Sequence, residues 1–207
     1  MKKILFLLIP ICAWAQELKY EDGVYSKVFQ TEKSNEEVYQ NAREWIAINF
    51  KSANDVLQLD TKEKLIVKGS MEFSLYTGTS VLPQLGEIMV TVSIREKRFK
   101  VDYEMSETRS KEFPNMTGNF KNLAFLTYAS MSEEDVLKQK LASFEESARN
   151  EGWKEKKISK TKKNIIEANP GKYKNHIYTK KIFESKVTSI INSLDEYVNS
   201  EEKKDDW

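Results

Sequence analysis

The sequence predicts an α+β fold in which a twisted antiparallel sheet carries helices on one side only. One stretch, residues 34–50, shows apolar residues at helical spacing behind a helix-start signal. Three later stretches alternate apolar and polar residues with a period of two. Antiparallel sheets commonly bury one face and leave the other in water. The helices are therefore expected on the apolar face of the sheet.

The helix is predicted from Ser34 to Phe50. Ser34 is a favoured N-cap residue, and Glu37 stands three positions later, where its carboxylate can return a hydrogen bond to the cap amide. Behind this start the apolar stripe consists of Val38, Ala42, Trp45 and Ile46, widened by Tyr39 and Phe50. Because large aromatic side chains dominate core burial, the stripe indicates packing on a sheet rather than a ligand platform.

The alternating segments predict five strands, of which the first and second are weaker. They are Gly23 to Gln30, Asp55 to Asp60, Leu65 to Tyr76, Gly86 to Arg95 and Arg98 to Ser106. The last two are close enough in sequence to form a hairpin about Glu96-Lys97.

One set of residues between Val28 and Ser106 has a characteristic spacing: Ser34, Glu37, Tyr39, Ala42, Trp45, the run Phe50-Lys51-Ser52-Ala53, Asp60 and Lys68-Gly69. In these residues the region resembles an exported bacterial family, the domain of unknown function 4468, described as having a TBP-like fold. It departs at Lys62-Glu63-Lys64, where the family often carries a glycine. The resemblance implies a helix-grip β-α-β-β-β-β-α arrangement. It supplies no catalytic residues, and the fold name does not imply DNA binding.

The remainder of the chain is predicted to be less regular. Residues 107–122 are typical of a loop, and Leu123 to Tyr128 is compatible with either a strand or a helical turn. Further predictions are a helix from Ser132 to about Asn150, a turn at Asn169-Pro170-Gly171 and a last helix from about Thr179 to Asn199.

These elements divide the chain into five segments. Residues 1–15 form a signal peptide, and 16–106 form the first part of the TBP-like domain. Residues 107–178 are an insertion with an extra helix and a basic stretch. Residues 179–199 form the last helix of the domain, and 200–207 are a polar tail.

The N-terminal segment predicts export. Lys2 and Lys3 precede an apolar run, and Ala13-Trp14-Ala15 has the small-x-small pattern of a cleavage site. The apolar run is too short to span a bilayer as a helix. Cys12 is the only cysteine and leaves with this segment, so the mature chain has neither a disulfide nor a thiol. We expect a periplasmic or secreted protein of a Gram-negative bacterium.

The charge balance gives no indication of a nucleic-acid or membrane partner, and no transmembrane segment is predicted in the mature chain. Lys2 and Lys3 are two of 33 basic residues, so 31 remain against 32 acidic ones. One stretch is locally basic, with Lys154, Lys156, Lys157, Lys160, Lys162 and Lys163. This stretch is either an anion-binding patch for a lipid headgroup or polysaccharide, or a solvated strand or linker between acidic helices. The second interpretation is favoured.

The sequence assembles no recognisable catalytic cluster. His176 is the only histidine and is expected in an exposed polar loop, so histidine-based metal sites and a Ser-His-Asp triad are not supported. Asp102 and Glu104 share one face of a strand and form the one candidate carboxylate pair for a hydrolase. No phosphate-cradling glycine motif occurs, and no cofactor is predicted.

The expected function is that of an exported, non-catalytic binding or interaction module, with an envelope protein, a lipid or a polysaccharide as partner. One alternative is a lipid-like ligand between the apolar sheet face and the last helix, where Val187 and Ile191 approach Phe73, Val90 and Val101. The other alternative is a hydrolase that uses Asp102 and Glu104.

Overall fold

The computed structural model describes residues 17–50, 56–77, 80–112, 115, 117–120 and 123–200. The predicted signal peptide and residues 201–207 of the predicted tail lie outside this part of the chain. The strands are β1 (Lys19–Glu21), β2 (Val24–Gln30), β3 (Leu57–Thr61), β4 (Lys64–Thr77), β5 (Ser80–Arg95), β6 (Arg98–Ser110) and β7 (Thr117–Asn119). The helices are α1 (Asn35–Asn49), α2 (Ala124–Tyr128), α3 (Glu133–Asn150) and α4 (Glu155–Asn199).

The strands form one antiparallel sheet in the order β1-β2-β6-β5-β4-β3, and β7 pairs with the end of β6. Strands β3 to β6 follow one another as hairpins, whereas α1 carries the chain from β2 to the opposite edge. The predicted antiparallel sheet and its α+β class are confirmed. The hairpin about Glu96-Lys97 is also present, with Lys97 in the left-handed region at φ 57°.

Strand β1 was not predicted from the sequence. It pairs with β2 through the two-residue turn Asp22-Gly23, in which both residues have positive φ. This is the geometry that asparagine or aspartate followed by glycine favours in tight hairpins. The dipeptide is therefore the signal that identifies this strand.

Helix α1 packs on the sheet as its cap and stripe predict. The Ser34 hydroxyl accepts from the Glu37 amide, and the Glu37 carboxylate accepts from the Ser34 amide at 2.8 Å. Its four buried residues are Val38, Ala42, Trp45 and Ile46. Phe50, at its end, lies against Gly69, where a Cβ would be 2.6 Å from the Phe50 ring. Glycine at this position therefore lets the helix end approach β4.

The region after β6 is more regular than the loop predicted for 107–122. Strand β6 continues to Ser110, and Thr108 and Ser110 are buried. Strand β7 then pairs with Glu107 to Arg109. These strands were not predicted because the stretch is mostly polar and shows no alternation of apolar and polar residues. The Leu123 to Tyr128 segment is a helical turn, with Phe125 and Leu126 in the core.

Helix α4 is the largest departure from the sequence prediction. It has 45 residues and passes without a break through Asn169-Pro170-Gly171, so the predicted turn there is wrong. At 1.5 Å per residue it is about 67 Å long. Its second part, from Thr179, covers the apolar sheet face with Phe183, Val187, Ile191, Leu194 and Val198. Its first part packs against α3 instead.

Candidate functional site

Helix α3 and residues 155–177 of α4 form an antiparallel pair, which we call the helical arm. Near its tip the rings of Phe144 and Trp153 meet edge to face, with centroids 5.8 Å apart. Near its base the Tyr173 hydroxyl donates to the Met131 carbonyl at 2.8 Å. The pairing therefore continues along the whole of α3, which explains why α4 persists as a helix beyond the sheet.

A buried amide locks the arm at the level of Pro170. Asn169 is 1% exposed, its Oδ1 accepts from the Lys140 ammonium, and its Nδ2 donates to the Glu133 carbonyl, each at 3.4 Å. Burial and the nearby charge of Lys172 lower the pKa of Lys140. Interhelical bonds thus hold the backbone helical where Pro170 removes an amide donor.

The six lysines of the predicted patch lie at the tip of the arm, but the helix distributes them around its circumference. Lys162 pairs with Glu145 of α3, and the Lys157 ammonium lies 3.3 Å from the centre of the Trp153 ring. Lys163 forms a pair with Glu167 at 3.8 Å. Lys154, Lys156 and Lys160 are exposed. The structure therefore does not bring the six ammonium groups to one surface.

Apolar side chains are exposed along one side of the arm. Ile166 is 47% exposed and Ile177 is 39% exposed. They are eleven residues apart, which is three turns of an α-helix, so both lie on the same side of α4. The structure thus presents two isoleucines in line, about 16.5 Å apart along the helix axis.

Each isoleucine lines a groove. The groove at Ile166 has a volume of about 550 Å³ and runs between α3 and α4. The groove at Ile177 has about 380 Å³ and extends along α4 towards Thr188. Charged groups of both signs form the rims, namely Glu145, Arg149, Glu155, Lys162, Lys163 and Glu167 at the first and Lys180, Lys181 and Glu184 at the second. An apolar floor with a mixed polar rim is typical of a protein-binding surface.

The comparisons with known proteins identify the sheet region. Residues 25–111 match the family model described as "Domain of unknown function (DUF4468) with TBP-like fold". This confirms the resemblance predicted for Val28 to Ser106, together with the TBP-like fold. The helical arm lies outside the matched residues. No curated protein matches the sequence.

Two solved structures are similar to this chain. One is a DUF4468 family protein from Bacteroides ovatus, at 17% identity and a TM-score of 0.40, with 49% of this chain and 64% of that chain covered. This chain therefore spans less than two thirds of that relative. The other is a TBP-like protein from Parabacteroides distasonis, at 12% identity and a TM-score of 0.38, covering 49% and 69% respectively.

Within the residues that match the family model, the candidate carboxylates Asp102 and Glu104 lie on the exposed face of β6. One oxygen of Asp102 accepts from the Ser26 hydroxyl at 2.5 Å and pairs with the Lys100 ammonium at 2.7 Å. Across the sheet, Glu104 is opposite Val24 on one side and Met89 on the other. Because Asp102 is engaged by two donors, its contacts are those of a structural cross-strand residue.

The interior between sheet and helices is filled with side chains. The five residues proposed to face a lipid-like ligand, Phe73, Val90, Val101, Val187 and Ile191, are all at most 3% exposed and belong to one cluster. The ring of Phe183 lies 5.3 Å from Phe73 and 4.9 Å from Phe120. These contacts favour a packed core over a ligand cavity at this position.

His176 lies on α4 rather than in the predicted polar loop, so that prediction is wrong. It is half-buried, and its ring centre is 5.3 Å from that of Tyr128. Burial, with smaller contributions from the charges of Lys140 and Lys172, lowers the pKa of His176. The described residues contain no cluster of three or more potential metal-ligating side chains. In the same residues, no helix is long and apolar enough to cross a membrane.

Sequence reasoning missed Ile166 and Ile177 as candidate site residues. The prediction of a turn at Asn169-Pro170-Gly171 placed them on opposite sides of a break in the helix. A signal was present, because Ile158, Ile165, Asn169, Tyr173 and His176 follow one another at helical spacing across the proline. These residues form the inner side of the arm, and Ile166 and Ile177 lie about a quarter turn away from it on the flank of the helix.

Proposed function

We propose that this protein is an exported, non-catalytic interaction module that binds a helix of a partner protein along its helical arm. The observation that carries this proposal is the alignment of Ile166 and Ile177, both exposed, in two grooves on the same side of α4. Export is supported by the N-terminal sequence pattern of residues 1–16.

The chemistry of the surface favours a helix as the occupant. A pair of packed helices can bury only the sides that face each other, and a third helix completes a bundle. An amphipathic helix binds such a groove with apolar anchors at helical spacing. Ile166 and Ile177 are separated by three turns, so an antiparallel or parallel partner helix can contact both with one apolar stripe.

The charges on the rims favour a partner with polar flanks of both signs. Arg149, Lys162 and Lys163 alternate with Glu145, Glu155 and Glu167 around the first groove. Such a rim contributes to specificity and orientation more than to affinity. The binding energy is therefore expected to come from the isoleucine contacts.

Site-specific photo-crosslinking tests the proposal. A photoreactive amino acid replaces Ile166 in the full chain, expressed in cells that naturally export it, and the same amino acid replaces Ile48 as the control. Ile48 is also an exposed helical isoleucine, at 66%, but it lies on α1 outside the arm. We expect a discrete protein adduct from position 166 and none from position 48.

A second substitution makes the result specific to the groove. Ile177→Glu should abolish the adduct formed from position 166, because a charge at the second anchor opposes burial of the same partner helix. An adduct with twice the mass of this chain would identify the partner helix as that of a second copy. Equal labelling from positions 166 and 48, or no discrete adduct, contradicts the proposal.

A further inference from the structure

A second candidate site lies on the opposite part of the molecule, at one end of the exposed sheet face. Arg95 and Arg98 flank the two-residue turn between β5 and β6 and are direct cross-strand neighbours. Their sequence neighbours Ile94 and Phe99 are buried on the other face, so both arginines project from the exposed face. In the next row, Ser93 stands between Lys100 of β6 and Lys64 of β4.

This arrangement places two guanidinium groups directly opposite each other at the end of the hairpin. Like charges directly opposite each other on neighbouring strands oppose pairing. Lys100 forms an ion pair with Asp102. Among the described residues, no carboxylate forms an ion pair with Arg95 or Arg98. The two guanidinium groups are therefore available to a ligand.

The basic residues surround a depression of about 390 Å³. It is lined by Val28, Ser93, Arg95, Arg98, Phe99, Lys100 and Asp102. The guanidinium groups are planar donors that bind phosphate and carboxylate oxygens in pairs. The Ser93 side chain supplies a neutral hydroxyl donor beside them.

We propose that this depression binds the oxyanion group of a small ligand, a phosphate or a carboxylate, through Arg95 and Arg98. Lys100 and Ser93 provide additional donors at its rim. The site belongs to the sheet, so it does not depend on the helical arm or on the partner proposed above. Its function is recognition of a charged group, with no chemical step.

Titration of the full chain with inorganic phosphate tests the site, and succinate serves as the carboxylate probe. Both are added at constant ionic strength, because exposed charges are screened by salt. Backbone amide chemical shifts of residues 93–100 report binding. We expect saturable shifts confined to these residues with at least one of the two probes. The probe that binds more tightly identifies the preferred oxyanion.

Matched arginine substitutions distinguish a specific binding site from nonspecific electrostatic attraction. Arg98→Gln should weaken binding at least tenfold. Arg109→Gln removes the same charge from the other end of the same strand, where the side chain is also exposed, and should change affinity less than twofold. Absence of saturable shifts with both probes, or equal weakening by the two substitutions, overturns the proposal. Ile166→Glu should leave phosphate or succinate binding unchanged.

Discussion

The hydroxyl of Thr179 accepts a hydrogen bond from the backbone amide of Tyr76 at 3.1 Å. Two turns further along α4, the Lys186 ammonium donates to the Glu72 carbonyl at 3.0 Å. In the described residues, β3 pairs with β4 only at residues 64–67, so these contacts involve the part of β4 beyond β3. Helix α4 thus satisfies backbone groups at a sheet edge, which are otherwise open to pairing with another chain.

Thr179→Val should lower the free energy of unfolding by about 1–2 kcal/mol, because it leaves the Tyr76 amide without its acceptor. Thr179 is 2% exposed, and valine has nearly its shape. Thr188→Val on the same helix is the control and should change stability by less than about 0.5 kcal/mol. Urea denaturation measures both. Equal decreases in the free energy of unfolding for the two variants would contradict a specific contribution of the Tyr76–Thr179 hydrogen bond.

Pro170→Ala should stabilise the arm by about 1–3 kcal/mol, since it restores an amide donor for the Ile166 carbonyl and removes a ring clash. The measurement is the free energy of unfolding together with helix content by circular dichroism.

Gly171→Ala should also stabilise the arm, by about 0.5–1 kcal/mol, because a Cβ at this position meets nothing within 4 Å. Destabilisation by both substitutions would indicate a turn at this position.

Tyr25→Phe should leave stability unchanged or raise it by about 1 kcal/mol. Tyr25 is 1% exposed, and among the described residues its hydroxyl has no hydrogen-bond partner. Removing an unsatisfied buried hydroxyl removes its desolvation cost. Tyr103→Phe is the matched change, because the Tyr103 hydroxyl donates to the Met71 sulfur at 3.2 Å. It should be the less stable variant in thermal denaturation, and the reverse order would contradict this assignment.

The pKa of His176 predicts a pH dependence of stability. Burial and the charges of Lys140 and Lys172 lower this pKa below the ordinary value of 6.5. The unfolded chain therefore takes up a proton at a higher pH than the folded chain. The free energy of unfolding should decrease as the pH falls from above 6.5 towards the folded-state pKa.

His176→Gln removes this contribution and should flatten the dependence of stability on pH between about 7.5 and 5.5. His176 is the only histidine, so no other imidazole contributes in this range. Urea denaturation at several pH values compares the variant with the unsubstituted protein. Identical slopes in the two proteins would contradict the lowered pKa.

Local sequence patterns predicted the sheet and α1 because, in these elements, the spacing of the apolar residues matches the positions that are buried. The alternating residues of β4 to β6 and the Val38 to Ile46 stripe occupy the faces that the spacing indicates. Helix α3 of the arm was predicted, but the first part of α4 was not, since Pro170 and Gly171 are strong helix-breaking signals. Tertiary contacts made by Asn169 and Tyr173 override these signals. The grooves could not be predicted from the sequence because they depend on the positions of both helices. The Arg95–Arg98 pair could not be predicted because it depends on the register of the β5–β6 hairpin.

The affinity of the crosslinked partner for purified variants tests the central claim most directly. Ile166→Glu and Ile177→Glu should each weaken binding by about 2 kcal/mol or more, roughly thirtyfold, because each places a charge at a buried apolar anchor. Ile48→Glu introduces the same charge on α1 and should leave affinity within about twofold. Unchanged affinity of the Ile166→Glu and Ile177→Glu proteins would contradict the proposal that a partner helix binds along the arm.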